Sequence, residues 1–194
     1  MITNCFYHSE RVLFLPISEN DVDILMESMN DKDVRILARS RRDILNEGNT
    51  KELILKYQKE EESFIIYEKE NNIKIGYGFV MDIDLYNKEA SLALVIGKKD
   101  YRGKGYGRES IELLMKHAFI GLNLESIYLE VNDYNIAGIK LYEKVGFKYV
   151  GKRRNGQIVG NKKYDVIIMD MIAEEYFSRY GNNEVEQIVN CEKI

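Results

Sequence analysis

Residues 101–108 read Y-R-G-K-G-Y-G-R. Gly103, Gly105 and Gly107 each remove a Cβ where a ligand could approach the backbone. The preceding stretch, residues 88–96 (K-E-A-S-L-A-L-V-I), has the length and apolar content of a strand. After the glycines, Ile111, Leu114, Met115 and Ala118 fall at i, i+3, i+4 and i+7, the spacing of an amphipathic helix. Glu112 and Lys116 form an i,i+4 pair on its other face. A glycine turn entering a helix offers unpaired N–H groups and the positive end of the helix dipole. That combination suits a phosphate or pyrophosphate. Arg102, Lys104 and Arg108 add positive charge beside it.

Two familiar phosphate patterns fail here. The Walker pattern needs Ser or Thr after its Lys, and Gly105 follows Lys104. The dinucleotide pattern G-x-G-x-x-G fits at Gly103 and Gly105, but Arg108 stands at its third glycine. Taken alone, these residues also allow a plain glycine-rich turn that only lets a strand pass into a helix.

Toward the N-terminus, residues 11–17 read as a strand ended by Pro16, and Ser18 caps a helix with Val22, Leu25, Met26 and Met29 at helical spacing. Residues 30–50 are charged and irregular, with a basic cluster at Arg39, Arg41 and Arg42. A second helix runs roughly over 50–62. Phe64 to Tyr67 is a short strand, and Ile73, Ile75, Tyr77, Phe79 and Met81 alternate along another. Toward the C-terminus, 126–131 is a strand, 136–145 a helix stopped by Gly146, and 147–153 and 164–172 are the last strands. The order β-α-α-β-β-β-α-β-α-β-β predicts a mixed sheet with helices on both faces, in the α/β or α+β range. One domain is expected over 1–174, with a polar tail over 175–194.

The 194 residues, 45% hydrophobic with one proline, suit a single folded domain. A formal charge of -4 points away from a nucleic-acid binder. Cys5 and Cys191, like His8 and His117, lack the spacing of a disulfide framework or metal site, so no metal is expected. There is no signal-peptide pattern, and no apolar run approaches the ~18 residues needed to span a bilayer. No membrane association is expected, and the chain reads as cytoplasmic.

A second motif lies at 132–147, N-D-Y-N-I-A-G-I-K-L-Y-E-K-V-G-F. Asn135 can cap the helix that follows, and Asn135, Gly138 and Tyr142 share one face of it. A polar amide, a gap without a side chain and a phenol suit an extended ligand. A simple cap and a core aromatic are the other reading, since the chain has 14 tyrosines.

Together the two motifs resemble the GCN5-related N-acetyltransferase (GNAT) family. Arg102-Gly103-Lys104-Gly105-Tyr106-Gly107 matches its R/Q-x-x-G-x-G/A signature. Asn135, Gly138, Leu141, Tyr142, Gly146 and Phe147 fall in register on N-x-x-[AS]-x-x-L-Y-x-x-x-G-F, with Gly138 a mild departure. The resemblance covers about residues 63–172. It implies a single-domain GNAT-like fold with a mostly antiparallel sheet of about seven strands and about four helices. It implies that Arg102, Gly103, Lys104, Gly105, Tyr106, Gly107 and Arg108 hold the pyrophosphate of acetyl-CoA. It implies that backbone of Val95, Ile96 and Gly97 pairs with pantetheine, that a N–H near Val95 or Ile96 stabilises the oxyanion, and that Asn135 contacts the pantetheine arm or the substrate region. Tyr142 is then the general acid that protonates the departing thiolate.

The base is left open. Many relatives carry Glu on the third central strand, at a position that is Ser91 here, eleven residues before Arg102. Glu89 on the same strand face is the candidate, with Glu130, Tyr128 and ordered water as alternatives. The expected acceptor is a small-molecule amine, such as a polyamine, amino sugar or aminoglycoside, or a peptide N-terminus. It is expected to sit among residues 18–62 and the loop 153–163, near Glu60, Glu61, Glu62, Asp82 and Asp84. A homodimer is compatible with this reading. The competing class is a non-catalytic acyl-CoA-binding module, against which Tyr142 argues.

Overall fold

The computed structural model describes residues 7–38 and 44–181. Seven strands form one sheet: β1 (Val12–Pro16), β2 (Glu62–Glu68), β3 (Ile73–Asp84), β4 (Glu89–Ile96), β5 (Ser126–Asn132), β6 (Lys148–Val159) and β7 (Lys162–Ile172). Their order across the sheet is β1-β2-β3-β4-β5-β7-β6. Every neighbouring pair is antiparallel except β4 and β5. The described residues hold six α-helices: α1 (Val22–Asn30), α2 (Lys32–Leu37), α3 (Glu47–Glu60), α4 (Tyr106–Lys116), α5 (Ile136–Val145) and α6 (Ala173–Tyr180).

Strand alternation divides the core in two. Ile65, Tyr77 and Phe79 point to one face and pack with Leu25 of α1 and Ile54 of α3. Ile66, Ile75 and Val80 point to the other and pack with Ile111, Leu114 and Met115 of α4. The helical periodicity around Leu114 thus becomes contact: Leu114 lies under Gly78, where a Cβ would sit 3.1 Å from its Cδ1.

The parallel pair is short. β4 and β5 are in register only at Glu89↔Ser126, Ala90↔Ile127 and Ser91↔Tyr128. Beyond Ser91 and Tyr128 the two strands part, although β4 continues to Ile96 and β5 to Asn132. Five more residues of β4 make a V-shaped opening about 17 Å long at the usual rise per residue.

Three expectations are corrected. The helices among the described residues number six rather than about four, partly because the irregular segment contains α2. That helix is capped by Asp31, whose carboxylate accepts from the N–H groups of Asp33 (3.1 Å) and Val34 (3.0 Å), and it buries only Val34. With a single apolar anchor it leaves no periodic trace. Residues 153–163 are mostly strand instead of loop: β6 and β7 form a long hairpin turning at Gly160-Asn161, with a bulge between Arg153 and Gln157. The domain does not stop at 174, since α6 buries Tyr176 and stacks it on Phe119 at 4.8 Å. The basic cluster Arg39, Arg41 and Arg42, together with Cys5, Cys191 and the rest of the tail from residue 182, lies outside the described residues.

Gly76 on β3 has a packing reason to be glycine. A Cβ there would lie 2.0 Å from the Val95 carbonyl of β4, a backbone atom that cannot swing aside. Gly76→Ala is therefore expected to destabilise the fold by about 1–3 kcal/mol. Urea unfolding against Gly151→Ala, whose Cβ would meet nothing within 4 Å, checks this.

Candidate active site

The glycine turn sits at the mouth of the V. Gly103 and Gly105 take φ of +71° and +93°, the left-handed region that favours glycine. Gly105 is the N-cap of α4, and its carbonyl accepts from Arg108 N–H (3.0 Å) and Glu109 N–H (3.2 Å). Among the described residues, the N–H groups of Gly103, Lys104, Gly105, Tyr106 and Gly107 have no protein acceptor. Backbone donors left unpaired at a helix N-terminus form an anion site. Gly107 would meet only ordinary contacts if it carried a Cβ, 3.5 Å from Leu141 and 3.8 Å from Ile96. Internal packing therefore does not require this glycine.

The loop's cations do different work from what their clustering implied. Arg102 is turned inward: its Nε donates to Ile96 O (2.8 Å) and its Nη2 to Gly97 O (2.6 Å). Its guanidinium also faces Asp31 (3.5 Å) and Asp33 (3.8 Å) at the start of α2. It ties the end of β4 to α2 and adds no free charge to the turn. Arg108 donates to Glu112 at 2.9 Å, while Lys104 stays exposed. The brace of the turn comes from a residue that local sequence could not flag. Arg11, just before β1, pairs with Glu109 of α4 at 2.5 Å, donates to Lys104 O at 3.1 Å and lies 4.6 Å over the Tyr106 ring. Ser9 donates to the same carboxylate at 2.5 Å, and these bonds hold Glu109 below the usual carboxylate range against the opposing effect of its burial. Beside the brace is a shallow cavity of about 350 Å³ bounded by Gly105, Arg108 and Lys144 as well as by the acids Glu109 and Glu112.

Along β4, the Val95 carbonyl is turned onto Gly76, and Ile96 and Gly97 are bound through their carbonyls by Arg102. Gly97 has a steric reason as well: a Cβ there would lie 1.9 Å from Ser28 Oγ of α1. Glu89 stands at the opposite end of β4, exposed and two residues below the level where the strands part.

Across the V, Asn135 caps α5, its Oδ1 accepting from Gly138 N–H at 3.0 Å. Its Nδ2 donates to Leu37 O of α2 at 3.3 Å. The Gly138 departure follows from this fold-back, since a Cβ at 138 would lie 2.9 Å from Asn135 Nδ2. Tyr134 donates to Ile36 O at 2.7 Å, and Asn132 Nδ2 reaches both Tyr134 Oη (2.9 Å) and Ile36 O (3.3 Å). The C-terminal end of α2 therefore bridges the V from the β4 side to the β5 side. Asn132 is fully buried, and among the described residues its Oδ1 has no partner.

Tyr142 projects from α5 on the α4 side of the sheet, packed against the core and edge-on to Phe147 at 5.9 Å. Burial pushes its hydroxyl up to about 12, with no hydrogen bond among the described residues acting on it. A half-buried phenol that stays protonated and unpaired beside an opening is fit to deliver a proton there. The structure brings together the turn, β4 beyond Ser91 and α5, and leaves Glu89 at the edge.

Comparison with known proteins agrees with this geometry. Residues 11–148 match the acetyltransferase (GNAT) domain family. An N-acetyltransferase named YokL, derived from the SPbeta prophage of Bacillus subtilis (strain 168), is 31% identical over 111 residues, 57% of this chain and 62% of that protein. The spermidine N(1)-acetyltransferase of Vibrio cholerae is 29% identical over 105 residues, 54% of this chain and 60% of that protein. The chain thus spans about three fifths of the length of these relatives. Among solved structures, the Vibrio cholerae spermidine N-acetyltransferase in complex with CoA and spermine superposes with a TM-score of 0.81 at 21% identity, covering 87% of this chain and 99% of that one. No described helix is long and apolar enough to cross a membrane. With a family match over residues 11–148 and this fold, the chain belongs to the acetyltransferase (GNAT) domain family.

Proposed function

We propose that this protein transfers the acetyl group of acetyl-CoA to a primary amine by direct attack, with Tyr142 as the general acid. The observation that carries the reading is the set of N–H groups at Gly103, Lys104, Gly105, Tyr106 and Gly107 that, among the described residues, lack protein acceptors at the N-terminus of α4. They fit the diphosphate of coenzyme A, and the V between β4 and β5 gives its arm a path toward Ser91 and Tyr128. When bound, acetyl-CoA supplies the activated acetyl thioester. The chain's own residues do the rest. The turn binds the diphosphate, backbone near Val95 or Ile96 meets the developing oxyanion, and Tyr142 holds the proton for the thiolate. Asn135 contributes through its cap, which fixes the α5 end beside the arm. Arg102 contributes by fixing the end of β4.

The acceptor class is a small-molecule amine, with polyamines favoured by the names of the relatives, and amino sugars, aminoglycosides or a peptide N-terminus as further members. The reading takes the protein as cytoplasmic, in the compartment where acetyl-CoA is available, and a homodimer as compatible with it. Residues from β1 to α6 act as one catalytic unit.

Three measurements test this. Thiol release from acetyl-CoA is followed against spermidine, spermine, glucosamine, kanamycin and a short peptide, and amine-dependent turnover with at least one of them is expected; CoA binding without turnover on any would favour a non-catalytic module. Tyr142→Phe is expected to lower kcat by roughly 10²–10⁴ with the CoA Kd unchanged. Because burial pushes Tyr142 up to about 12, the parent kcat is expected to hold past the ordinary tyrosine pKa of about 10. Gly105→Ala, strained at φ +93° and 2.8 Å from Arg11 Nη2, is expected to raise the CoA Kd by about tenfold, the equivalent of about 1.4 kcal/mol by calorimetry.

A further inference from the structure

The proposed reaction needs a group that removes the ammonium proton, and the strand position where the family resemblance puts a carboxylate is Ser91. Ser91 is buried and donates to Asp82 Oδ2 on the neighbouring strand at 2.8 Å. It is also the last residue of β4 in register with β5, directly opposite Tyr128 on the same face of the sheet. The vertex of the V is thus closed by two hydroxyls with a carboxylate behind them.

Asp82 reaches Ser91 because β3 is irregular there. The register with β4 shifts between Met81 and Asp84, and Asp82 takes φ +52°. A bulge re-aims a side chain in this way. Without it, Asp82 would project to the face opposite Met81, away from Ser91. Asp82 is an exposed residue, so a proton it receives has an exit.

A separate observation points to a ligand on the same face. Tyr128, Glu130 and Asn132 alternate along one side of β5 beyond the vertex. Asn132 is fully buried, and its Oδ1 is without a partner among the described residues. A buried orphan acceptor is costly unless a donor arrives, and an amine N–H is such a donor.

We propose that the acceptor amine enters on this face and loses its proton through Tyr128 and Ser91 to Asp82, which stands in for the missing carboxylate of β4. This rests on the reading of the chain as an amine acetyltransferase. The proton balance is simple. The ammonium gives one proton to Tyr128 Oη, Tyr128 passes its own to Ser91 Oγ, and Ser91 passes its own to Asp82 Oδ2. The products are a neutral amine and a neutral Asp82 carboxyl, and both hydroxyls are restored. Burial and the carboxylates of Asp82, Glu89 and Glu130 raise the Tyr128 hydroxyl, so Tyr128 conducts a proton and does not store one. Glu61 lies against Asp82 from the α3 end and is itself raised by burial and by Asp82, with Glu60 and Lys56 behind it. Glu130 faces Arg153 of β6 at 3.8 Å. Asp82 acts through Ser91 and does not touch the amine.

The test is the pH profile of kcat/KM with acetyl-CoA and whichever panel amine the parent turns over fastest. Asparagine tolerates the left-handed backbone, so Asp82→Asn preserves the bulge. In Asp82→Asn and in Ser91→Ala, the rate is expected to fall by roughly 10²–10⁴ near neutral pH. It should then climb tenfold per pH unit toward the parent value as bulk base supplies free amine. A purely structural role would lower the rate equally at all pH. Ser91→Glu combined with Asp82→Asn is expected to restore the parent's neutral-pH rate, because a direct carboxylate then replaces the relayed one. CoA affinity by calorimetry should be unchanged throughout. An Asp82→Asn profile parallel to the parent's, or the same neutral-pH loss from Glu89→Gln instead, would overturn the proposal. A parent that turns over no amine fails earlier, and that failure belongs to the enzyme assignment.

Discussion

β4 and β5 pair at only three positions before they part. In a closed sheet the backbone groups of both strands would satisfy each other. Here the strands diverge at Ser91 and Tyr128, and the opening runs up to the turn that starts α4. Every feature of the candidate site is placed relative to that opening. The glycine turn is at its mouth, Ser91 and Tyr128 at its vertex, and α5 with Tyr142 along one side.

A gap in a sheet must be held open against collapse, and the bracing is polar. Arg102 clamps the carbonyls of Ile96 and Gly97 and faces Asp31 and Asp33, fixing the end of β4 to α2. The other end of α2 accepts hydrogen bonds from Tyr134, Asn132 and Asn135 on the far side of the opening. A six-residue helix thereby acts as a strut across the V. Arg11 does the same for the turn, joining the chain before β1 to Glu109 and to the Lys104 carbonyl. These charges serve geometry, and among the described residues the turn's own N–H groups remain without a protein acceptor.

The two faces of the sheet divide the proposed chemistry. Tyr142 belongs to the face packed by α4 and α5, in an apolar setting that keeps its proton in place. Tyr128, Glu130 and Asn132 belong to the opposite face, which is polar around the opening and carries the acids Asp82 and Glu61 nearby. A proton donor and a proton acceptor on opposite sides of one opening do not neutralise each other directly. Their separation lets one be protonated while the other is charged.

Much of this was legible in the chain itself. The helical spacing of Ile111, Leu114 and Met115, the alternation of Ile75, Tyr77 and Phe79, and the glycine turn between strand and helix are local patterns set by backbone geometry, and they specified the strand order along the chain and the turn before α4. Helix α2 was not legible, because one buried valine makes no period. The inward turn of Arg102, the reach of Arg11 to Glu109, and the approach of Asp82 to Ser91 through a bulge were not legible either. Each joins groups on different elements, and which charges meet depends on register, twist and packing that no local pattern encodes. Local patterns were enough for the strongly periodic elements and the glycine turn, because they are set by backbone geometry; which polar groups are used internally and which are left for a ligand was settled by packing between elements.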